Sequence, residues 1–167
     1  MSAEPAPAPQ ASAANLPRWR VRPMVPADLD AVMRIENQVY PFPWSAGNFS
    51  DSLKAGYDAW IFETARETIG YAILMWAPDE VHLLNISVAA ESQGRGYGRA
   101  MLEWLCGDAR GRGARALMLE VRPSNEHACA LYRSMRFERI GVRKGYYPAH
   151  AGAREDALVL RMVLTDE

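Results

Sequence analysis

The sequence predicts a single mixed α/β domain, and three observations carry that prediction. The chain has 167 residues, within the length of one ordinary domain. Its 49% hydrophobic and 23% charged residues are the composition of a globular protein able to bury a core. Its apolar residues also change period along the chain: two helical segments, three strand-like runs, then strand, helix, strand, helix and a final strand pair.

Met1–Pro17 holds 6 Ala, 4 Pro and the single charge of Glu4. It is read as a disordered tail, which places the domain at 18–167. Trp19–Met24 reads as a short extended segment, closed by Pro23 and Pro26. Asp28 is expected to cap a helix carrying Leu29, Val32, Met33 and Ile35 at helical spacing. Tyr40-Pro41-Phe42-Pro43-Trp44-Ser45 must break it, because proline lacks an amide donor and restricts its predecessor. Ser45 then reads as the N-cap of a second short helix with Phe49 and Leu53.

Strands are expected at Ala59–Thr64, Ile69–Trp76 and Glu80–Val88, divided by Gly70 and the Ala77-Pro78-Asp79 turn. A helix follows Gly94, Gly96 and Gly98 and runs to about Arg110, with Met101, Leu102, Leu105 and Ala109 on one face. Gly111-Arg112-Gly113 ends it. Ala116–Val121 reads as a buried strand. Pro123-Ser124-Asn125 opens a helix whose Ala128, Leu131, Tyr132 and Met135 share a face. Phe137–Arg143 and Ala157–Leu164 read as closing strands joined by a loop containing Gly and Pro.

Twenty acidic against 19 basic residues exclude a generically basic nucleic-acid binder. No apolar run approaches the roughly 18–20 residues of a membrane span, and the first residues lack the charged and apolar regions of a secretory signal. Cys106 and Cys129 have neither metal-ligand spacing nor a disulfide framework. His82, His127 and His150 have no nearby ligand partner. A reduced, cytoplasmic protein without metal is expected, binding neither membrane nor nucleic acid directly. His82 is expected to face an adjacent strand or solvent and is assigned no chemistry.

The most informative segment is Val88-Ala-Ala-Glu-Ser-Gln-Gly-Arg-Gly-Tyr-Gly-Arg99. A strand runs into glycines, and the glycines run into a helix. Glycine permits close backbone approach, and the helix start offers free N–H groups and a positive dipole end. Arg95 and Arg99 add charge partners for a phosphate. A P-loop is excluded, because Gly98-Arg99-Ala100 stands where Gly-Lys-Ser/Thr is needed. A dinucleotide fingerprint is excluded by the Gly94-x-Gly96-x-Gly98 spacing. Read alone, the loop is either a phosphate site or a flexible connection.

Gln93-Gly94-Arg95-Gly96-Tyr97-Gly98 also matches the Gln/Arg-x-x-Gly-x-Gly/Ala signature of the GNAT N-acetyltransferases, and the surrounding segments resemble that superfamily in order. These are Leu84–Val88, Leu119–Asn125 and Ala130–Phe137. Phe42-Pro43-Trp44-Ser45, Tyr146-Tyr147-Pro148 and Arg154–Ala157 resemble its RimI-like branch, which acetylates the N-terminal alanine of a small-subunit ribosomal protein. The resemblance covers about 20–164. It implies a mixed, mostly antiparallel, seven-stranded sheet flanked by four helices, with acetyl-CoA entering where the strands around Ile86 and Glu120 splay.

By the same resemblance, the amides of Ile86, Ser87 and Val88 pair with the pantetheine arm. Gly94, Arg95, Gly96, Tyr97, Gly98 and Arg99 hold the pyrophosphate, and Asn125 contacts the CoA arm. Glu120 is implied as the base for the incoming amine, and Tyr132 as the acid for the departing thiolate. Transfer is then direct, within a ternary complex, and neither cysteine is a nucleophile. The apolar strand around Glu120 is expected to raise its carboxyl pKa by desolvation. Without the resemblance, a strand-end ion pair for Glu120 and core packing for Tyr132 are the default readings, and Asn125 is an N-cap.

Phe42 and Trp44 either line the peptide groove or pack the first helices. Tyr146 and Tyr147 either bind the acceptor backbone or cover the sheet end. Gly94 departs from the larger, often basic residue of many relatives. The implied acceptor is the N-terminal peptide of ribosomal protein number eighteen; lysine side chains, small amines, or a non-catalytic acetyl-CoA-binding regulator are the alternatives.

Overall fold

Arg20–Pro23 forms strand β1. A 3-10 turn at Pro26–Asp28 leads into helix α1, Leu29–Val39, which buries Val32, Ile35 and Glu36. The computed structural model describes residues 18–165, so the Ala/Pro-rich tail lies outside the described residues. Asp28 behaves differently from expectation. Its carboxylate accepts from the Val25 amide and from Arg22 rather than capping α1. Arg22 competes successfully because it offers a forked, charge-assisted pair.

Helix α2, Ala46–Lys54, starts as the sequence predicts. The Ser45 hydroxyl accepts from the Asn48 amide at 3.1 Å, and Asn48 Oδ1 accepts from the Ser45 amide at 2.9 Å. This reciprocal cap satisfies two otherwise free donors. Three strands follow as an antiparallel meander: β2, Asp58–Glu63; β3, Thr68–Trp76; and β4, Glu80–Val88. Gly70 is required where β3 meets the end of β4, since a Cβ there would lie 2.3 Å from the Ser87 carbonyl oxygen.

Helix α3, Tyr97–Gly111, crosses from β4 to β5, Ala116–Val121, and makes β4–β5 the parallel pair of the sheet. Gly113, at φ +93°, closes the helix in the left-handed conformation expected of a C-terminal glycine. Helix α4, Glu126–Ser134, precedes β6, Glu138–Pro148, and β7, Arg154–Val163. The seven strands lie in the order β1-β2-β3-β4-β5-β7-β6.

The last two strands are longer than the sequence indicates. Gly145, at φ +56°, takes up a register shift between Arg143 and Tyr147, so pairing continues to Pro148–Arg154. Its amide donates to Asp156 Oδ1 at 2.8 Å. The expected long loop shrinks to a short turn because a bulge, and not a break, absorbs the glycine.

Two cores cover the sheet. On one face α3 and α4 pack through Met101, Leu102, Leu105 and Tyr132 onto Leu83, Leu117 and Leu119. On the other, α1 and α2 pack through Val32, Ile35 and Phe49 onto Ile61, Tyr71 and Ile73. Ile73 pairs with Asn85 and Leu74 with Leu83, so Leu84 is an extra residue on β4. This bulge resets the side-chain alternation. Leu83, Ile86 and Val88 face α3, whereas Leu84 joins the α1 core and Asn85 reaches Glu36 of α1.

Candidate active site

The parallel ladder between β4 and β5 ends at Leu83–Leu119. Beyond it β4 remains paired to β3 as far as Val88, and β5 to β7 as far as Val121. The sheet therefore forks, and the two banks of the fork carry Asn85–Val88 and Glu120–Val121. The fork is where the sequence places it.

On the β4 bank, Tyr40 Oη donates to the Ile86 carbonyl at 2.7 Å, and Gln93 Nε2 donates to the Val88 carbonyl at 3.0 Å. The amide of Ala89 instead turns to Ile69 on β3. N–H and C=O of one strand residue share an edge and alternate along the strand. The Ile86 and Val88 amides thus face the fork, while the Ser87 amide faces β3. Ser87 contributes its hydroxyl, 3.1 Å from Tyr40 Oη and 3.0 Å from Asn85 Oδ1.

A cleft of about 570 Å³ opens from this bank. Ile86–Val88 form one wall, and Asn125, Ala128, Leu131 and Tyr132 of α4 form another. Its floor is the glycine loop: Gly94 and Gly96 have φ of +75° and +94°, and no atom lies within 4 Å of a Cβ built on either. No side chain caps the start of α3 among the described residues, which leaves first-turn amides directed at the cleft. Arg99 lines the cleft and donates to Ser134 Oγ. Arg95 is exposed and does not line it. Tyr97 is rooted in the core at 3% exposure. Asn125 lines the cleft and also caps α4, accepting from the Ala128 amide at 3.2 Å.

These features suit a long cofactor with an amide-bearing arm and a pyrophosphate. Two strand amides face the fork beside carbonyls already satisfied, and a helix start of open glycine backbone offers anion donors. Acetyl-CoA has that construction, and the residues present fit it.

On the other bank, Glu120 Oε2 lies 3.0 Å from His82 Nε2, and Oε1 accepts from Arg143 Nε at 3.0 Å. The expectation that desolvation raises this carboxyl is overturned. His82, by hydrogen bond and then by charge, together with Arg143, outweighs burial and holds Glu120 below the ordinary carboxylate range. His82 does face the adjacent strand, but its target is this carboxylate. Strand alternation in one sequence cannot reveal which cross-strand neighbour a histidine meets.

Tyr132 is buried against Phe137, with ring centroids 5.5 Å apart. Burial, then the nearby Tyr40 and Tyr147 hydroxyls, push its own hydroxyl upward, which keeps it protonated. Burial and then the Glu120 carboxylate do the same to Tyr147, and burial pushes Tyr40 up to about 12. One electrostatic neighbourhood thus joins Glu120, Tyr147, Tyr40 and Tyr132. Burial raises the Cys106 thiol to about 11.

The aromatic residues named from sequence separate. Trp44 packs on Phe49 at 5.1 Å within the α1–α2 core. Phe42 lies against His150 and under the Arg122 guanidinium, which also covers Tyr147 at 4.3 Å. Tyr146 stands edge-on to Tyr147 and is 44% exposed.

Sequence reasoning missed Tyr40 and Glu36. Glu36 is 1% exposed and accepts from the Trp44 amide, Tyr71 Oη and Asn85 Nδ2. With Asn85, Ser87 and Tyr40 it forms a continuous polar chain behind the β4 bank. Glu36→Gln turns an acceptor into a donor among three donors. It is expected to cost about 2 kcal/mol, read as a lower urea midpoint with an unchanged slope.

The Acetyltransferase (GNAT) family profile matches residues 29–137. The chain is 37% identical over 138 residues to the [Ribosomal protein bS18]-alanine N-acetyltransferase of Escherichia coli K12, covering 83% of this chain and 93% of that protein. It is 33% identical over 144 residues to the Haemophilus ducreyi protein of the same name, covering 86% and 99%. The crystal structure of the E. coli ribosomal-protein-S18-alanine N-acetyltransferase is similar at a TM-score of 0.82 and 34% identity, covering 90% of this chain and 96% of that one. Forked sheet, glycine loop and sequence agree, and the chain belongs to the GNAT acetyltransferase family.

Proposed function

We propose that this acetyl-CoA-dependent N-acetyltransferase modifies the α-amine of an N-terminal alanine, that of small-subunit ribosomal protein number eighteen. The similarity to enzymes named for that acceptor, over nearly their whole length, carries the reading. No helix among the described residues is long and apolar enough to cross a membrane. We place the enzyme in the cytoplasm, at work on a protein acceptor and without direct contact to nucleic acid or membrane.

Acetyl-CoA supplies an activated acetyl thioester. The Ile86 and Val88 amides align its arm along β4, and the Gly94–Arg99 segment receives its pyrophosphate. An α-amine has a free pKa of about 7.7–8.0 and arrives largely protonated. Its neutral form, after one proton is lost to water, attacks the acetyl carbon, and Glu120 takes the second proton, which the nitrogen sheds as the carbon–nitrogen bond forms. As the carbon–sulfur bond breaks, Tyr132 donates its proton to the sulfur. Tyr147, beside Glu120, and Tyr146, packed on Tyr147, hold the acceptor backbone, with Phe42 and Arg122 behind them. Trp44 supports the same wall through its backbone bond to Glu36.

An alanine-initiated peptide copying that ribosomal N-terminus, with one internal lysine, tests the reading. Fragmentation mass spectrometry is expected to find enzyme-dependent acetyl on the α-amine. Acetyl on lysine alone would overturn the acceptor assignment.

A further inference from the structure

His82 is absent from the reaction as described, yet it makes a 3.0 Å contact with the proposed base. It pairs in register with Met118, one step before the β4–β5 ladder ends, so its ring reaches forward along β5 to Glu120 at the root of the fork. Two cationic or polar side chains hold the carboxylate from different strands, and they are not equivalent. Arg143 is 55% exposed, whereas the His82 side chain is 22% and Glu120 8% exposed. Exposed pairs exchange readily with water and contribute little. The more sheltered His82 contact therefore dominates the orientation of Glu120.

The remaining charged neighbours do not compete for His82. Glu80, two residues back on β4, is taken by Arg161 of β7 at 2.9 Å. Arg143 and Tyr147 of β6 face Glu120. His82's ring partner among the described residues is Glu120 alone.

We propose that His82 is a positioning residue for acetyl transfer: from β4 it fixes Oε2 of Glu120, so that the carboxylate spans the fork toward the acceptor amine. The inference rests on the assignment of Glu120 as base. His82 acts through Glu120 and never on the substrate.

The test compares His82→Leu and His82→Gln with the wild type on the alanine-initiated peptide. Gln reaches about as far as Nε2 and can donate to Oε2 of Glu120. His82→Leu is expected to lower kcat about tenfold, as loss of orientation at a reacting group does. Acetyl-CoA Kd, read by calorimetry, is expected to stay within about twofold, since His82 does not line the cleft. His82→Gln is expected to recover most of the rate at neutral pH. Removing His82 also removes the leading influence that lowers Glu120. The Glu120 carboxyl titration, read by 13C NMR of the labelled enzyme, should move to higher pH in the Leu variant, and by less in the Gln variant.

Wild-type kcat and an unmoved Glu120 titration in His82→Leu would overturn the proposal. So would equal losses in both variants accompanied by weaker acetyl-CoA binding, which mark a purely structural histidine. A wild-type enzyme that leaves the peptide α-amine untouched would overturn the acceptor reading instead, a result distinguishable from either.

Discussion

Glu120→Gln is expected to lower kcat by about 10²–10⁴-fold, the usual contribution of a positioned acid or base. The substitution keeps the side chain's length and removes its ability to accept a proton. It also sets an amide hydrogen against either Arg143 or His82, which now grip one oxygen each. Glu120 does not line the cofactor cleft, so acetyl-CoA affinity should hold. Steady-state rates on the alanine-initiated peptide and calorimetry with acetyl-CoA check both statements. A variant within tenfold of the wild type would remove Glu120 from the role of base.

The depressed pKa constrains how Glu120 can act as the proposed base. Glu120 is ionised across the neutral range, so its own titration limits turnover only below the ordinary carboxylate range. A carboxylate that weak takes a proton uphill from an α-ammonium. The ammonium, with no lone pair to attack, therefore loses its first proton to water, and Glu120 takes the second as attack on the thioester makes the nitrogen far more acidic.

Tyr132→Phe is expected to lower kcat by about 10²-fold. Its hydroxyl has no hydrogen-bond partner among the described residues, although the ring is 7% exposed and packed on Phe137. Tyr132 lines the cleft, so its hydroxyl is available for the leaving sulfur. Phenylalanine keeps the ring contacts, so urea stability should change by less than roughly 1 kcal/mol. Wild-type turnover in this variant would assign Tyr132 to packing alone.

Much of this architecture is legible in the sequence, for local reasons. β4 and β5 have the predicted limits because turns and glycines bound them on both sides. The reciprocal Ser45–Asn48 cap is a short-range motif. The glycine loop is readable because only a few residue types tolerate its backbone.

What the sequence hides depends on partners far along the chain. Asp28 is drawn off by Arg22, and Glu36 is buried beneath Trp44, Tyr71 and Asn85. His82, Glu120 and Arg143 meet only because three separate strands adopt particular registers. The apolar flanks of Glu120 correctly indicate shelter, but its two basic neighbours decide the sign of its pKa shift.

The fork has a consequence for biosynthesis. The strands β2 to β4 form a meander closed by short turns, contacts of low sequence separation that form early as a chain emerges from its N-terminus. The glycine loop and the two inward amides belong to that first half. Glu120 and Tyr132 belong to the second, and four parallel residue pairs from Glu80–Ala116 to Leu83–Leu119 join the halves. A nascent chain thus acquires half of a cofactor cradle before it has the proposed acid and base. Acetyl transfer begins only when the later β4–β5 pairing, across the α3 crossover, brings the second half alongside.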